Sequence, residues 1–198
     1  MYNTAEHNTA LGFLIESQGL LSKELLASLT DKSISVRNDE LFIKKQIAGS
    51  SNIHELLDSS TEKRPGVSTF EKGGRMGANQ AAAFRKIAVR FGTGDDISPG
   101  LIDYNAALPT ALANAELRIS QEGQLIFSRT VKDIWMKADN ENDPNSKVFQ
   151  LSSWVLLRDD REVKANLHFP EGGSLVAAGV GVTSFIYVSF DAHVTNKK

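Results

Sequence analysis

The regular alternation of apolar and polar residues in the last segment of the chain constrains its fold more than any other feature. Between residues 184 and 194 every second side chain is apolar. This two-residue period is typical of an antiparallel β-strand with one buried face. The apolar positions are Ile186, Val188, Phe190, Ala192 and Val194, and the positions between them are Tyr187, Ser189, Asp191 and His193.

Seven further segments have the length and composition of short strands, and polar turns separate most of them. In the segment before the last, Val163, Ala165 and Leu167 predict a buried face, with Lys164 and His168 on the outer face. Eight short strands with a few long connections favour an antiparallel β-sandwich of the jelly-roll type. The predicted strands cover residues 34–37, 41–47, 86–91, 116–120, 124–131, 149–157, 162–169 and 184–194.

Three local patterns predict turns or short helices between these strands. The Asn-Asp-Glu sequence at 38–40 predicts a turn between the first two strands, because Asn and Asp favour turns. The apolar residues at 53, 56 and 57 have helical spacing and predict a short helix. The Ala-rich residues 78–84 predict a helical turn.

Residues 8–29 predict the longest helix, with Asn8 as its N-cap. Gly12 and Gly19 weaken this helix by about 1 kcal/mol each relative to alanine, and Ser22 interrupts its apolar stripe. We therefore divide the chain into an N-terminal helical arm, 1–30, and a single jelly-roll domain, 31–198. The arm packs either on its own domain or on a neighbouring subunit. The stripe consists of Leu11, Leu14, Ile15, Leu21, Leu25, Leu26 and Leu29.

Charge and length restrict the function classes. The 198 residues suffice for one large domain, and their net charge of -2 provides no overall field that would attract nucleic acid or an anionic membrane. The charge is unevenly distributed, with eleven Lys or Arg against six Asp or Glu over residues 32–90, and acidic stretches at 95–103 and 139–143. This split indicates either solvated surface or a docking edge between oppositely charged neighbours.

The chain contains no cysteine, which excludes disulfides, thiol nucleophiles and Cys-ligated zinc. This composition fits a reducing compartment or a protein stabilised by assembly. No apolar run approaches the roughly 20 residues that span a bilayer. Residues 1–8 are polar and lack a basic region followed by an apolar one, so we do not expect a secretory signal.

No residues in the sequence have the spacing of a catalytic or metal site. His168, His193 and Asp191 lie on predicted polar faces of late strands, but nothing in the sequence brings these strands together, so we predict surface residues. A Ser-His-Asp triad lacks support for the same reason, and no Gly-x-Ser-x-Gly motif occurs. We therefore predict no catalytic, cofactor-binding or metal-binding residues and do not expect an enzyme.

Two loops resemble ligand-binding motifs only in part. Residues 73–77 (GGRMG) lack the Gly-Lys-Ser/Thr ending of a P-loop and predict a flexible connection. Asp139, Glu141 and Asp143 alternate like the first ligands of a calcium loop, but Pro144 stands where an EF-hand requires glycine. An acidic surface loop and an irregular calcium loop of the β-sandwich kind both remain open.

Aromatic residues offer two further interpretations. Phe91, next to Arg90, belongs to an apolar face, so core packing explains it better than a nucleic-acid groove does. Phe185 and Tyr187 lie outside the strictly apolar face of the last strand, where they either form a protein interface or cover a second layer of the same domain.

Several segments resemble jelly-roll capsid proteins of tailless icosahedral bacteriophages with an internal membrane. They include residues 108–134 (LPTALANAELRISQEGQLIFSRTVKDI) and the closing run of 163–170, the turn 171–175 (EGGSL) and the strand 185–194. Residues 67–72, upstream of the strand at Ile87, are similar too. Major capsid proteins of that group usually carry two jelly rolls in one longer chain, whereas this chain suffices for one.

The resemblance implies a structural virion protein, either a capsid shell subunit or a minor capsid or vertex component, located in the virion. Its expected partners are other copies of itself, other virion proteins, and the viral membrane or genome on the inner face, with no small-molecule substrate. The alternative is a β-sandwich binding module for carbohydrate or a cell surface, assisted by calcium at residues 139–143. For that function Trp135 and Trp154 are the available stacking platforms.

Overall fold

The computed structural model describes residues 4–31, 33–47, 51–95, 98–137, 148–173, 175 and 182–197. Its helices are α1 (Thr4–Glu16), α2 (Lys23–Thr30), α3 (Thr110–Ala113) and α4 (Val131–Lys137), with single 3-10 turns at Gln18–Leu20 and Pro99–Leu101. Its strands are β1 (Ile34–Ile47), β2 (Ile53–Glu55), β3 (Ala82–Gly94), β4 (Glu116–Gln121), β5 (Gln124–Thr130), β6 (Phe149–Leu157), β7 (Val163–His168) and β8 (Thr183–Lys197). None of the helices in these ranges is long and apolar enough to cross a membrane.

The eight strands form two antiparallel four-stranded sheets. The first sheet has the order β1-β8-β3-β6 and the second has the order β2-β7-β4-β5. The strands pair from the two ends of the chain inward: β1 with β8, β2 with β7, β3 with β6 and β4 with β5. Two further pairs, β3 with β8 and β4 with β7, complete the two sheets. This nested pairing is that of a long hairpin rolled into two layers, and it confirms the predicted jelly-roll sandwich.

The alternating strands supply the core between the two sheets. The apolar side chains at alternate positions 186–194 of β8 are all buried, as are those at 163–167 of β7. Leu117 and Ile119 of β4 are also fully buried, whereas Arg118 between them is exposed. The period-2 pattern therefore assigned these inner faces correctly.

The predicted long helix is wrong in its details. It consists of two helices, and α1 begins at Thr4, so Asn8 lies inside α1 instead of capping it. Ser22, which interrupts the apolar stripe, is the N-cap of α2, because its hydroxyl oxygen accepts a hydrogen bond from the Leu25 amide. The stripe therefore breaks where a new helix begins.

Both helices pack on the outer face of the chain's own first sheet. Leu14 of α1 and Leu25 of α2 are fully buried there against Ala81 and Ala83, next to Trp154 of β6. Alanine at these positions keeps the sheet surface flat enough for two helices to approach. The predicted helical turn at 78–84 is therefore wrong, since β3 begins at Ala82.

The first two predicted strands are one continuous strand, β1. The predicted turn at 38–40 is wrong because β8 is long enough to pair with this segment throughout, with Asn38 opposite His193 and Glu40 opposite Asp191.

The predicted helix around residue 53 is also wrong. Residues 53–55 form β2 along the edge of β7, and the Leu56 amide donates to the Ala165 carbonyl.

Candidate functional site

The two strand histidines singled out in the sequence do not converge. His168 lies on β7 of the second sheet, whereas His193 lies on β8 of the first. His193 is buried and Asp191 half-buried, because the outer face of the first sheet is partly covered by α1. In the ranges that the structure describes, no group of three or more His, Asp or Glu residues is arranged to hold a metal ion.

His193 instead faces a residue that the sequence analysis did not select. The ring of His7, in α1, lies 5.5 Å from the ring of His193 between their centroids. On the other side, the Trp154 ring meets the His193 ring edge-on at 5.6 Å. Because the predicted helix began only at Asn8, nothing in the sequence placed His7 over the sheet.

A small ionic network surrounds this pair of histidines. Lys86 Nζ lies 3.0 Å from Glu6 Oε1 of α1 and 3.3 Å from Asp191 Oδ2 of β8. Burial alone would lower the pKa of Lys86, but the two carboxylates outweigh it and raise that pKa. The network therefore ties the first half of α1 to the centre of the first sheet.

Trp154, one of the two expected stacking platforms for sugar, is already packed against other rings. The Phe13 ring of α1 stacks on it at 6.4 Å, and His193 meets it at an edge. Trp135 lies in α4 and is half-buried. Neither tryptophan is a fully exposed platform.

Phe185 and Tyr187 cover a second layer of the same domain, which was one of the two interpretations left open. Phe185 is fully buried beside Ile102 and Tyr104, which belong to the segment after β3. The Tyr187 hydroxyl donates to Glu40 Oε1 at 2.5 Å. Burial first, and then this hydrogen bond, raises the pKa of Tyr187 to about 12.

Lys44 completes this aromatic cluster. Its Nζ lies 5.2 Å from the Tyr187 ring centroid, 5.5 Å from that of Tyr104 and 5.8 Å from that of Phe42. Contacts of this kind are typical of cation–π interactions. They hold the lysine side chain against the outer face of the first sheet.

A cavity of about 460 Å³ lies beside β1, between the strand and the segment at 60–68. Lys44, Lys45 and Arg64 contribute positive charge to its lining. Lys45 is paired with Asp58, and Arg64 Nε lies 3.6 Å from Glu62 Oε1. These acids offset most of the charge that would attract an anionic ligand.

The glycine-rich segment at 73–77, predicted as a flexible connection, is a hydrogen-bonded turn. The Gly74 amide donates to the Glu71 carbonyl, and the Gly74 carbonyl accepts from the Val163 amide, each at 3.0 Å. Gly74 has a φ of +68°, and a Cβ there would lie 3.1 Å from Leu57 Cβ. The glycine is therefore explained by turn geometry and close packing.

The other candidate loop, with Asp139, Glu141 and Asp143, lies outside the residues that the structure describes. The calcium interpretation of this loop stays a prediction.

The outer face of the second sheet is polar, as the alternation predicted. Arg118 Nε and Nη2 donate to Glu116 Oε2 at 2.8 and 2.5 Å, and the Ser128 hydroxyl donates to the other oxygen of the same carboxylate. Hydrogen bonds from Arg118, followed by the one from Ser128, lower the pKa of Glu116. Burial, and then the Arg118 charge, lower the pKa of His168 on the neighbouring strand. These groups form a solvated ion-pair network.

Comparisons with known proteins found no similar protein. No protein-family model, no curated protein and no solved structure matches the chain. The fold, its surfaces and the sequence resemblance are therefore the features that bear on function.

Proposed function

We propose that this protein is a structural virion protein, a capsid shell subunit or a minor capsid or vertex component, that self-assembles through its loops and N-terminal helices. The observation that carries the proposal is the nested pairing of the eight strands, β1 with β8 through β4 with β5. Viral capsid domains are among the proteins built on jelly rolls, as are lectins and cupins. Because a fold alone does not define a function, the capsid-like segments at 108–134, 163–175 and 185–194 supply the second argument.

The exposed apolar side chains support contacts through the loops and the helices. Among the residues that the structure describes, five large apolar side chains are exposed, and each lies in the helical region, in a loop or turn segment or near a strand end. Single exposed apolar residues are ordinary on a monomer. Their position in the helices, the loops and the strand ends is what supports contacts between copies through these segments. The five residues are Ile15, Leu20, Ile53, Leu101 and Leu125.

The sandwich contributes stiffness to such an assembly. Its two sheets bury one continuous apolar layer, so the strands are held in fixed positions relative to one another. Each subunit of a shell contacts several neighbours, and linked weak contacts multiply in effect. Other copies of the chain, other virion proteins, and the membrane or genome inside the shell are the partners that this function requires.

Electron microscopy of the purified protein tests the proposal. We expect closed particles or discrete multimers for the natural chain and smaller species for Leu101→Ser, because Leu101 is 76% exposed and contributes little to folding. Lys164→Ser, on the polar face of β7, serves as a control and should assemble normally. Only monomers at high protein concentration would contradict the proposal.

The alternative function, carbohydrate or cell-surface binding, remains a separate prediction. Trp154 is enclosed by Phe13 and His193, which leaves one ring fewer for stacking on sugar. A glycan array probed with and without calcium separates the two functions, since glycan binding by a monomer would favour the alternative.

A further inference from the structure

Ionisable groups form the contact between the first half of α1 and the first sheet. Glu6 and His7 of the helix face Lys86 of β3, and Asp191 and His193 of β8, across distances of a few ångströms. Most contacts of this kind between a helix and a sheet are apolar. A contact made of titratable groups changes its strength with pH.

We propose that His7 and His193 form a pH-sensitive latch, in which protonation of His193 beside His7 releases the first half of α1 from the sheet while the jelly roll stays folded. The two rings are 5.5 Å apart, and His193 is only 6% exposed. Two imidazolium ions at this distance repel one another, and burial deprives the inner one of the water that would screen it. The neutral rings pack without this cost.

One nitrogen of the His7 ring is also buried at this contact. Its Nδ1 atom is buried and has no hydrogen-bond partner. A protonated imidazole carries a hydrogen on both nitrogens, so protonation would bury an additional donor without an acceptor. Leaving a buried donor unpaired is costly.

Several charged groups surround the two rings. Both carboxylates at the contact, Glu6 and Asp191, are already paired with the single ammonium group of Lys86. The remaining cation, Arg85, lies beside Glu6 and Lys86 in the lining of a surface cavity, with its Nε donating to the Leu151 carbonyl. Strand β1 places Asn38 opposite His193 and the Glu40 carboxylate, which accepts from the Tyr187 hydroxyl, opposite Asp191. Strand β6 contributes the uncharged Gln150 and Trp154.

The lowered pKa of His193 agrees with its burial next to His7. Burial, followed by the charge on His7, lowers the pKa of His193 from its ordinary 6.5, although Glu6 and Asp191 act in the opposite direction. A histidine whose pKa is lower when α1 is docked favours the docked state above pH 6.5. This contribution is lost as the pH falls from 6.5 through the lowered pKa.

Release is confined to the first half of α1 because the rest of the helical region is held differently. Leu14 and Leu25 are buried among apolar side chains. Ser22 is hydrogen-bonded through its amide and its hydroxyl to the buried Asp159. Neither of these attachments involves a histidine.

Trp154 provides a direct readout, because its ring contacts both Phe13 of α1 and His193. In a Trp135→Phe background, we expect the fluorescence of Trp154 to change along one titration curve with a midpoint below pH 6.5. Amide hydrogen exchange, corrected for its intrinsic pH dependence, should show loss of protection in the first half of α1 between about pH 7.5 and about pH 5, the range in which histidine titrates. Protection in β8 should be unchanged.

Variants at each histidine make the test specific. His7→Gln, at a half-buried position, should remove most of the loss of protection, and His193→Asn should abolish the fluorescence titration. EDTA is added to all samples so that stray metal does not bridge the rings. Equal protection of α1 at both pH values, an unchanged loss in His7→Gln, or a simultaneous loss in β8 would each overturn the proposal.

Discussion

At the scale of single residues, the most informative contact joins Ser22 to Asp159. The Ser22 amide donates to Asp159 Oδ1 at 3.1 Å, and its hydroxyl donates to Oδ2 while accepting from the Leu25 amide at 3.2 Å. One small side chain therefore begins α2 and satisfies a carboxylate that is only 4% exposed. Helix position and sandwich packing depend on the same residue.

Replacing Ser22 by alanine should destabilise the protein by about 2–4 kcal/mol. Roughly 1 kcal/mol comes from the lost N-cap, and about 1–3 kcal/mol comes from leaving a buried acceptor without its donor. Urea unfolding of Ser22→Ala measures the difference. Ser22→Thr keeps the hydroxyl and is the control, which should stay close to the natural chain. A change within about 0.5 kcal/mol, as for ordinary surface substitutions, would show that the contact does not support the fold.

At the scale of elements, the sequence predicted those strands whose alternation is unbroken. The inner faces of β4, β7 and β8 were correct because one face of each is buried and the other is largely polar. The pattern failed where pairing overrides local preference, as at 38–40 of β1, which β8 holds extended. It also failed at Ala81 and Ala83, whose small side chains serve helix packing and carry no strand signal.

The contact between α1 and the sheet was unpredictable for a related reason. His7 and His193 are separated by nearly the whole chain, and neither belongs to a motif. Only the pairing of β8 with β3 and the seating of α1 over both strands bring their rings together. Such a site is defined by tertiary packing, which a single sequence does not record.

The ion pair between Lys45 of β1 and Asp58 should make stability depend on acid pH. Burial would raise the pKa of Asp58, but hydrogen bonds from Lys45 and Ser60 outweigh it and lower the pKa to about 2, from 3.8. Because the pKa of Asp58 is lower in the folded state, its ionised carboxylate stabilises the fold fully above pH 3.8. This stabilisation is lost as the pH falls towards about 2 and the carboxylate is protonated. Because both side chains of the pair are partly exposed, solvent screening reduces the stabilisation to about 1 kcal/mol.

Urea unfolding between about pH 2 and 5, the window that these pKa values define, tests this account. Lys45→Met should lose most of the pair's stabilisation at pH 5 and show a flatter dependence on pH. Lys63→Met removes an ion pair to Glu71 in which both side chains are about half exposed, so it should change stability little. Equal pH profiles for Lys45→Met and the natural chain would contradict the role given to Asp58.

The helical region should matter more for assembly than for folding. The core between the sheets is continuous without α1 or α2, which pack through a separate cluster on the outer face. A chain beginning at Thr30 should therefore fold with reduced stability, because Ala81, Ala83 and Trp154 become exposed. We expect it to lose the ability to form large assemblies.

Circular dichroism and light scattering of the shortened chain separate these effects. A folded chain that assembles normally would exclude the helices as contact elements between copies. Leu25→Ala in the chain that keeps both helices leaves a cavity under α2 and typically costs about 2–5 kcal/mol. It controls for lost stability alone and should still assemble.

At the scale of the whole molecule, the two faces of the sandwich differ. The outer face of the first sheet is covered by α1 and α2 at one end and by Ile102 and Tyr104 at the other. The second sheet exposes a polar face with ion pairs such as Glu116 with Arg118. The two faces of the block therefore differ in chemistry, as they would in a subunit whose faces meet the inside and the outside of a shell.

The molar mass of the natural chain in solution, measured by size-exclusion chromatography with light scattering over a range of concentrations, tests the central claim most directly. Self-assembly predicts discrete species of many times the 21.6 kDa of one chain, with a population that increases with concentration. A mass that stays at one chain at every concentration would contradict it.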